Sequence, residues 1–528
     1  MQIRLTRRQA NILFLRALSA IPLLRANNFT WGRNSKLQGA DFEALPLDKK
    51  LPTPIYVVLW FDTEDYLLPA SDDAAKRIAE MFTRQGLRAT FKLVGEKARV
   101  LEQRQRTDVI AALARQEIGY HSNLHSQQPT GAQYESELDW EQGEVEFDRR
   151  ERRGFDDVSR IFGRPPSCYG QPGVSWAPQT YPALKKWGVH VYLDEGEHVQ
   201  LDGKPFWYGG LLNIFHIDAG RELAQNSDWS NLDQAKAGFK ALYDQMSSQP
   251  QGGLISCGFH PTEFVSKEFW DAVNFAQGAN PPRSAWKLQP ERNPAESERA
   301  FQYLEGLVTY MKSFPGVRFI TASEAYKLYR DKAQNRVYDN RDIAEIAARV
   351  NSSITFQVHD EFVLSASEVL LLLNGFVVNF VSQKTGRAVS LDDTPYGPSS
   401  AAHYVKTPDG SMQVEWSQFS RTSVDISEFL ERNRSIPNVV WFGSNAVTPE
   451  SYLMALGGVA RELASGRQPP HSIQILPAEL AAARWVAKDS PSIWEWPIFP
   501  PGFHSAHLME LARLQAWTIK PAVLESPR

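Results

Sequence analysis

Between residues 54 and 322, short apolar or β-branched runs alternate with longer segments of helical period. IYVVLWF (55–61) reads as a buried strand, and DDAAKRIAEMFTRQG (72–86) as an amphipathic helix stopped by Gly86. The pair recurs as ATFKLVG (89–95) before RVLEQRQRTDVIAALARQ (99–116), then as EIGYHS (117–122) before EVEFDRRERRGFDDVSRIFG (144–163). PSCYGQPG (166–173) comes next, then the helix PQTYPALKKWG (178–188) and the strand VHVYLD (189–194). A sixth strand falls within FWYGGLLNIFHID (206–218), ahead of the helix NLDQAKAGFKALYDQM (231–246) and a seventh strand, LISCGFH (254–260). SERAFQYLEGLVTYMKSF (297–314) and VRFITA (317–322) complete the series as helix and strand. A strand that is to lie parallel to its predecessor needs a long crossover, and a helix supplies it. The rhythm therefore predicts an α/β fold, either an α/β barrel or a doubly wound sheet.

Both architectures put their chemistry at the C-terminal ends of strands. The polar residues that stand out are found there: Asp62, Thr63, Glu64 and Asp65 after the first strand, His121 and His125 after the third, Asp194 after the fifth and His260 after the seventh. Any one of them has a bland explanation. The acidic run caps a helix equally well, and a lone histidine is usually a satisfied core or surface residue. Together, two neutral imidazoles and a carboxylate leave open positions on a zinc-like ion, the layout of a catalytic site. A second carboxylate can take a proton from water, and a histidine across the mouth can protonate a leaving amine. Hydrolysis of an amide or ester is the reaction class this set supports. FHSAH (503–507) has a similar spacing without a strand-end carboxylate, and reads as the start of the last helix.

The whole chain is consistent with this. At 528 residues it has room for two or three domains, and a net charge of −4 argues against a nucleic-acid partner held by bulk electrostatics. Two cysteines, Cys168 and Cys257, exclude a disulfide scaffold and a cysteine-rich zinc site, and leave one bridge or two thiols open. The first 27 residues have the basic start and short apolar run of an export signal, with Arg7-Arg8 resembling a twin-arginine type; an amphipathic helix is the alternative. No later run of about 18 apolar residues predicts a membrane span.

In order and spacing these residues resemble the polysaccharide deacetylases of carbohydrate esterase family four, the NodB-homology type, over residues 50–335. Asp62-Thr63-Glu64-Asp65 resembles its first motif and His121-Ser122-Asn123-Leu124-His125 its second. Tyr169-Gly170-Gln171-Pro172-Gly173 resembles the third, Asp194 the fourth, and Gly258-Phe259-His260-Pro261 the fifth. The resemblance implies a distorted (β/α) barrel and a metal-dependent hydrolase that removes N- or O-acetyl groups from a polysaccharide or oligosaccharide. It implies Asp62 as general base and His260 as general acid, with Asp194 orienting it. Glu64, His121 and His125 would bind one divalent ion, zinc foremost, with Asp65 as a second choice for the carboxylate. Tyr169 and Gln171 would contact substrate, with backbone N–H groups there holding an oxyanion. Two departures stand out: Asp-Thr-Glu replaces adjacent aspartates, and the arginine that normally opens the third motif and braces the base is absent. Relatives of this fold also hydrolyse cyclic amides, and a catalytically weak glycan-binding barrel is a third reading.

FVSKEFWDAVNFAQGANPPRSAWKLQPERNP (264–294) is a long insertion whose Trp270 and Trp286 are expected to wall a substrate cleft, or else to pack against the C-terminal part. After about residue 335 the rhythm stops, and residues 336–528 read as an α+β accessory domain. Within it, FVLSASEVLLLLNGFVVNFVSQKTG (362–386) and AVTPESYLMALGGVARELASG (446–466) share a cap–helix–glycine pattern that suggests a tandem module. The second copy, with the preceding SIPNVVWFG, resembles pseudomurein-binding repeats, which implies contact with cell-wall glycan; a domain that binds nothing is the alternative.

Overall fold

Every residue of the strand Ile55–Thr63 (β1) is buried, which is why it reads as an unbroken apolar run. Successive side chains point to opposite faces of a strand, so β1 serves two layers. Val57, Leu59 and Phe61 pack with Ala74, Ile78 and Phe82 of the helix Pro69–Arg84. Tyr56, Val58 and Trp60 face the other way, into a cluster with Cys168, Val191 and Leu193 from later strands. Asp62 continues that second row, so the alternation alone puts its carboxylate on the inner face of the sheet.

The computed structural model describes residues 53–525 except 195, 216–228, 385–387 and 402–411. The first 27 residues, read as an export signal, lie outside the described residues. Among those described, no helix is long and apolar enough to cross a membrane.

β2 (Thr90–Leu93), β3 (Glu117–Tyr120), β4 (Cys168–Tyr169) and β5 (Val191–Leu193) follow β1 in parallel, each beside the last. β6 (Phe206–Tyr208) and β7 (Leu211–Ile214) form an antiparallel hairpin, and β7 lies parallel to β5. β8 (Gly253–Phe259) returns to the other side of β1, while β9 (Val317–Ile320) pairs with the first half of β1 and β2 with the second. The order β6-β7-β5-β4-β3-β2-β1-β8 winds one way from β1 to β7. A doubly wound sheet reverses at a switch point, and this one does not. The fold is the distorted (β/α) barrel, with its sheet open between β8 and the far edge among the described residues.

Two elements differ from the sequence reading. The helix expected over 99–116 is two helices, Gly95–Gln103 and Thr107–Leu113, because Gln105 between them is left-handed at φ 58°. The sixth strand is the β6–β7 hairpin, turned on Gly209-Gly210, both with positive φ, the geometry a two-residue hairpin needs.

A second core gathers the helices Ala366–Val381, Trp416–Asn433 and Pro449–Ala464 around Leu370, Phe376, Phe419 and Leu456. Ser365 and Glu368 form a capping box on the first helix, and Thr448 caps the third ahead of Pro449. The chain then leaves this core. Ile493, Trp494, Phe499, Leu508 and Met509 pack into the barrel's core, and Lys520–Pro521 adds a short antiparallel strand beside β6. His504 and His507 flank the start of the helix Ala506–Leu514, where His504 pairs with Asp489 and His507 donates to the Leu138 carbonyl. Cys168 and Cys257 are buried and form no disulfide with one another.

Candidate active site

The turn after β1 separates the three acidic residues by task. Asp65 is spent on structure: its Oδ1 accepts from the N–H groups of Leu67 and Leu68, and its Oδ2 from Thr262 and Gln289. It therefore does not compete with Glu64 for an ion. Asp62 and Glu64 point to the mouth of the sheet, where the loop after β3 delivers His121 and His125. These four are each at most 4% exposed.

Glu64 lies between the two imidazoles. Its Oε2 lies 3.2 Å from His121 Nε2 and 2.6 Å from His125 Nε2. His121 Nδ1 is 2.9 Å from the Gly170 carbonyl, which can only accept, so the proton of a neutral ring sits on Nδ1. His125 Nδ1 is 2.6 Å from Ser126 Oγ, whose own hydrogen is given to Asp271 at 2.7 Å, so this ring too donates through Nδ1. In both rings the Nε2 lone pair is left facing a carboxylate oxygen, an arrangement that repels unless a positive charge lies between. His125 Nε2 is moreover buried with no hydrogen-bond partner despite the short approach of Glu64. Glu64, His121 and His125 thus fit a divalent cation, their ligand atoms all within 4.8 Å of one another. The electrostatics agree. Burial pushes the His121 imidazole down, which suits a neutral ligand. Burial also acts against a charged His125, but the Glu64 carboxylate outweighs it and raises the imidazole, so the gap between Glu64 and Nε2 favours a positive charge that either a proton or a cation can supply. Glu64 is likewise penalised by burial, yet the two histidines hold it well below the usual carboxylate range.

Asp62, His121 and Asp194 form a second group with ligand-like spacing. That group already contains a cation. The Lys92 ammonium lies 3.0 Å from Asp62 Oδ1 and 2.6 Å from Asp194 Oδ2, and donates at 2.8 Å to the Leu193 carbonyl. Of the two groups, the one at Glu64 is therefore the candidate ion site.

On the opposite side of the mouth stands His260, its side chain 30% exposed, with Nε2 3.7 Å from Asp62 Oδ2 and Nδ1 3.2 Å from Glu263 Oε2. Burial alone would lower this imidazole, but the hydrogen bond and charge of Glu263, with those of Glu64 and Asp62, raise it to about 10. The structure therefore gives His260 to Glu263, three residues along the chain, in place of the expected Asp194. Asp194 is held by Lys92 and by Gln171 Nε2 at 3.4 Å, an arrangement that follows from β5 ending beside β2's lysine across the inner face.

The residues expected to contact substrate are mostly engaged within the protein. Trp270 is fully buried, and its indole N–H donates to Glu64 Oε1 at 2.8 Å, so it orients that carboxylate and exposes no ring face. Trp286 gives its N–H to Pro281 and rests its ring near Tyr66 and Phe275. Tyr169 is enclosed by Tyr120, Phe147 and Tyr192, and Gln171 is buried on Asp194 and the Gly173 carbonyl. The Gly170 N–H, placed by its motif as an oxyanion donor, is taken by the Tyr120 carbonyl. The insertion after β8 packs against the returning C-terminal chain: the N–H groups of Gln277 and Gly278 bond to Pro497 and Ile498. That same chain brings Trp496 edge-on to His125, with ring centroids 5.7 Å apart.

Sequence reasoning missed Lys92, Glu263, Ser126, Asp271 and Trp496. Lys92 did leave a signal, a charge inside the apolar strand ATFKLVG, whereas Trp496 lies more than 350 residues from His125 in sequence and left none.

No family model matches the chain, and no curated protein matches it. Among solved structures it is similar to a 4-α-glucanotransferase from Thermococcus litoralis, at 13% identity and a TM-score of 0.37, over 52% of this chain and 40% of that one. It is similar to a probable polysaccharide deacetylase from Pseudomonas aeruginosa PAO1, at 13% identity and a TM-score of 0.36, over 52% of this chain and 90% of that one. A family 4 carbohydrate esterase from Streptomyces lividans, in complex with acetate, is similar at 16% identity and a TM-score of 0.26, over 50% and 90% of the two chains. The family named in the last of these is the one that the sequence motifs resemble.

Proposed function

We propose that the protein is a metal-dependent hydrolase that removes acetyl groups from a glycan, with Asp62 as base and His260 as acid. One observation carries the reading: two buried imidazoles turn their Nε2 atoms to one carboxylate oxygen of Glu64, with Asp62 and a part-exposed His260 beside them. A divalent ion on Glu64, His121 and His125, zinc by the donor types, supplies Lewis acidity toward an acyl oxygen and makes water more acidic. Asp62 Oδ2 accepts a proton from the attacking water as its oxygen bonds to the acyl carbon. His260 donates its Nε2 proton to the departing nitrogen or oxygen as the C–N or C–O bond breaks. One water is consumed, and acetate and a free amine or hydroxyl are released. Trp270, Ser126 and Asp271 keep the ligand side chains in place during this. A substrate outside the cytoplasm accords with the basic and apolar pattern of the first 27 residues, and cell-wall glycan contact by residues after 336 belongs to the same reading.

The test is metal analysis of the purified protein together with acetate release from acetylated oligosaccharides. Bound ion with acetate release supports the assignment. Ion with turnover of cyclic amides alone replaces the substrate class, and sugar binding with neither ion nor turnover replaces the enzyme with a binding protein.

The charge on His260 makes a pH prediction. Its imidazolium is the competent acid, present below its raised pKa and lost as pH rises through it. Glu263→Gln removes the main raising influence, so the alkaline limb of the kcat/KM profile is expected to move to lower pH. An unmoved alkaline limb would remove Glu263, and with it His260, from this role.

A further inference from the structure

Neither the motifs nor the proposed reaction uses Lys92. It sits at the third position of β2, and the sheet register sets it directly opposite Asp62. Its side chain is wholly buried. Removing an ammonium from water costs several kcal/mol per ion, and only close counter-charges offset that. Here the counter-charges are Asp62 and Asp194, with the Leu193 carbonyl as a third acceptor and the Trp60 ring 4.1 Å away. Burial works against the charge, but the two carboxylates outweigh it and raise the lysine.

The route of the side chain is cleared by two glycines. A Cβ on Gly119, the β3 residue in register with Lys92, would come within 3.0 Å of the Lys92 Cγ. A Cβ on Gly170 would collide with both the Lys92 ammonium and the Asp194 carboxylate. Tyr169-Gly170-Gln171 is the stretch that lacks an arginine, and the space beside it is where the lysine from β2 ends. The consequence for Asp62 is directional. With Oδ1 ion-paired to Lys92 at 3.0 Å, a charge contact in place of an aligned hydrogen bond, Oδ2 is the oxygen left toward His260.

We propose that Lys92 is the positioning residue for the base: it fixes the Asp62 carboxylate, with Asp194 and Gln171 anchoring the lysine in turn, and so takes the place of the missing third-motif arginine. This rests on the hydrolase reading above. A misplacement of about 1 Å at a reacting group costs on the order of 100-fold in rate.

The experiment compares wild type, Lys92→Met, the charge-balanced pair Lys92→Met with Asp194→Asn, and Lys92→Met in an Asp62→Asn background. It measures kcat and KM for acetate release, bound metal, and the melting curve. Lys92→Met is expected to lower kcat about 100-fold, with KM and metal content unchanged. The charge-balanced pair is expected to melt cooperatively and remain as slow, which excludes misfolding as the cause. In the Asp62→Asn background the lysine substitution is expected to cost nothing further, because its effect passes through that carboxylate. A kcat within about threefold of wild type in either lysine variant, or a full additional loss in the Asp62→Asn background, would overturn the role of Lys92 and leave the hydrolase reading standing. A wild type that binds metal but turns over neither acetylated oligosaccharides nor cyclic amides would overturn both.

Discussion

Asp62→Asn is expected to lower turnover by about 10²- to 10⁴-fold, the usual contribution of a positioned general base, while the protein keeps its metal and its melting temperature. The substitution is nearly isosteric, so the packing of β1 is undisturbed and Trp60 and Phe61 keep their two faces. What changes is proton affinity: an amide cannot accept the proton that water must lose. Its orientation is also dictated. The Lys92 ammonium at 3.0 Å selects the amide oxygen, which turns the NH₂ toward His260 and places a donor where an acceptor is required. The proposed ion ligands are other residues, so metal content is the internal control. Turnover within a few-fold of wild type, with metal bound, would show that the proton goes elsewhere.

The strand–helix rhythm located this residue without any coordinates, and the reason is the double burial of β1. A strand covered on both faces is mostly apolar until it ends, so the first acidic residue after IYVVLWF marks the C-terminal end of β1. The same logic placed His121 and His260. What the rhythm could not do was choose between a barrel and a doubly wound sheet, since that depends on which strands are neighbours; the one-way order from β1 to β7 decides it. Nor could it assign partners across strands. Asp194 stands at the correct strand end, but the ends of β5 and β8 are far apart in the sheet order, and the lysine in register with Asp62 reaches Asp194 instead. Trp270 shows the opposite failure. A tryptophan in a long loop suggests a sugar platform, yet a buried indole needs an acceptor for its N–H, and Glu64 provides it. The return of the chain to the barrel after residue 480 has no local signature, because it is specified by apolar contacts such as Ile498 on the Tyr66–Trp270 cluster.

The ion site yields the second large effect. Glu64→Gln and His121→Ala are each expected to abolish stoichiometric binding of a divalent ion, whereas Asp65→Asn is expected to retain it. Loss of an outer partner of a ligand typically weakens metal affinity 10- to 100-fold, and loss of a ligand itself costs more. At Glu64 the neutral amide removes the charge that two lone-pair-bearing imidazoles and a cation require, and it leaves His125 Nε2 facing a group that can donate to it. At His121 the deletion also frees the Gly170 carbonyl that fixed the ring. Asp65 has a different cost. Two of its side-chain hydrogen bonds close the turn after β1 on Leu67 and Leu68 and two tie it to Thr262 and Gln289, so its replacement is expected to destabilise the fold by roughly 1–3 kcal/mol. Metal content measured by elemental analysis after dialysis, with thermal melts alongside, separates the two outcomes: Glu64→Gln loses the ion at little cost in melting temperature, and Asp65→Asn does the reverse. Retention of a full equivalent of metal by folded Glu64→Gln would place the ion on other groups and remove the basis for assigning Asp62 and His260 their parts in the reaction.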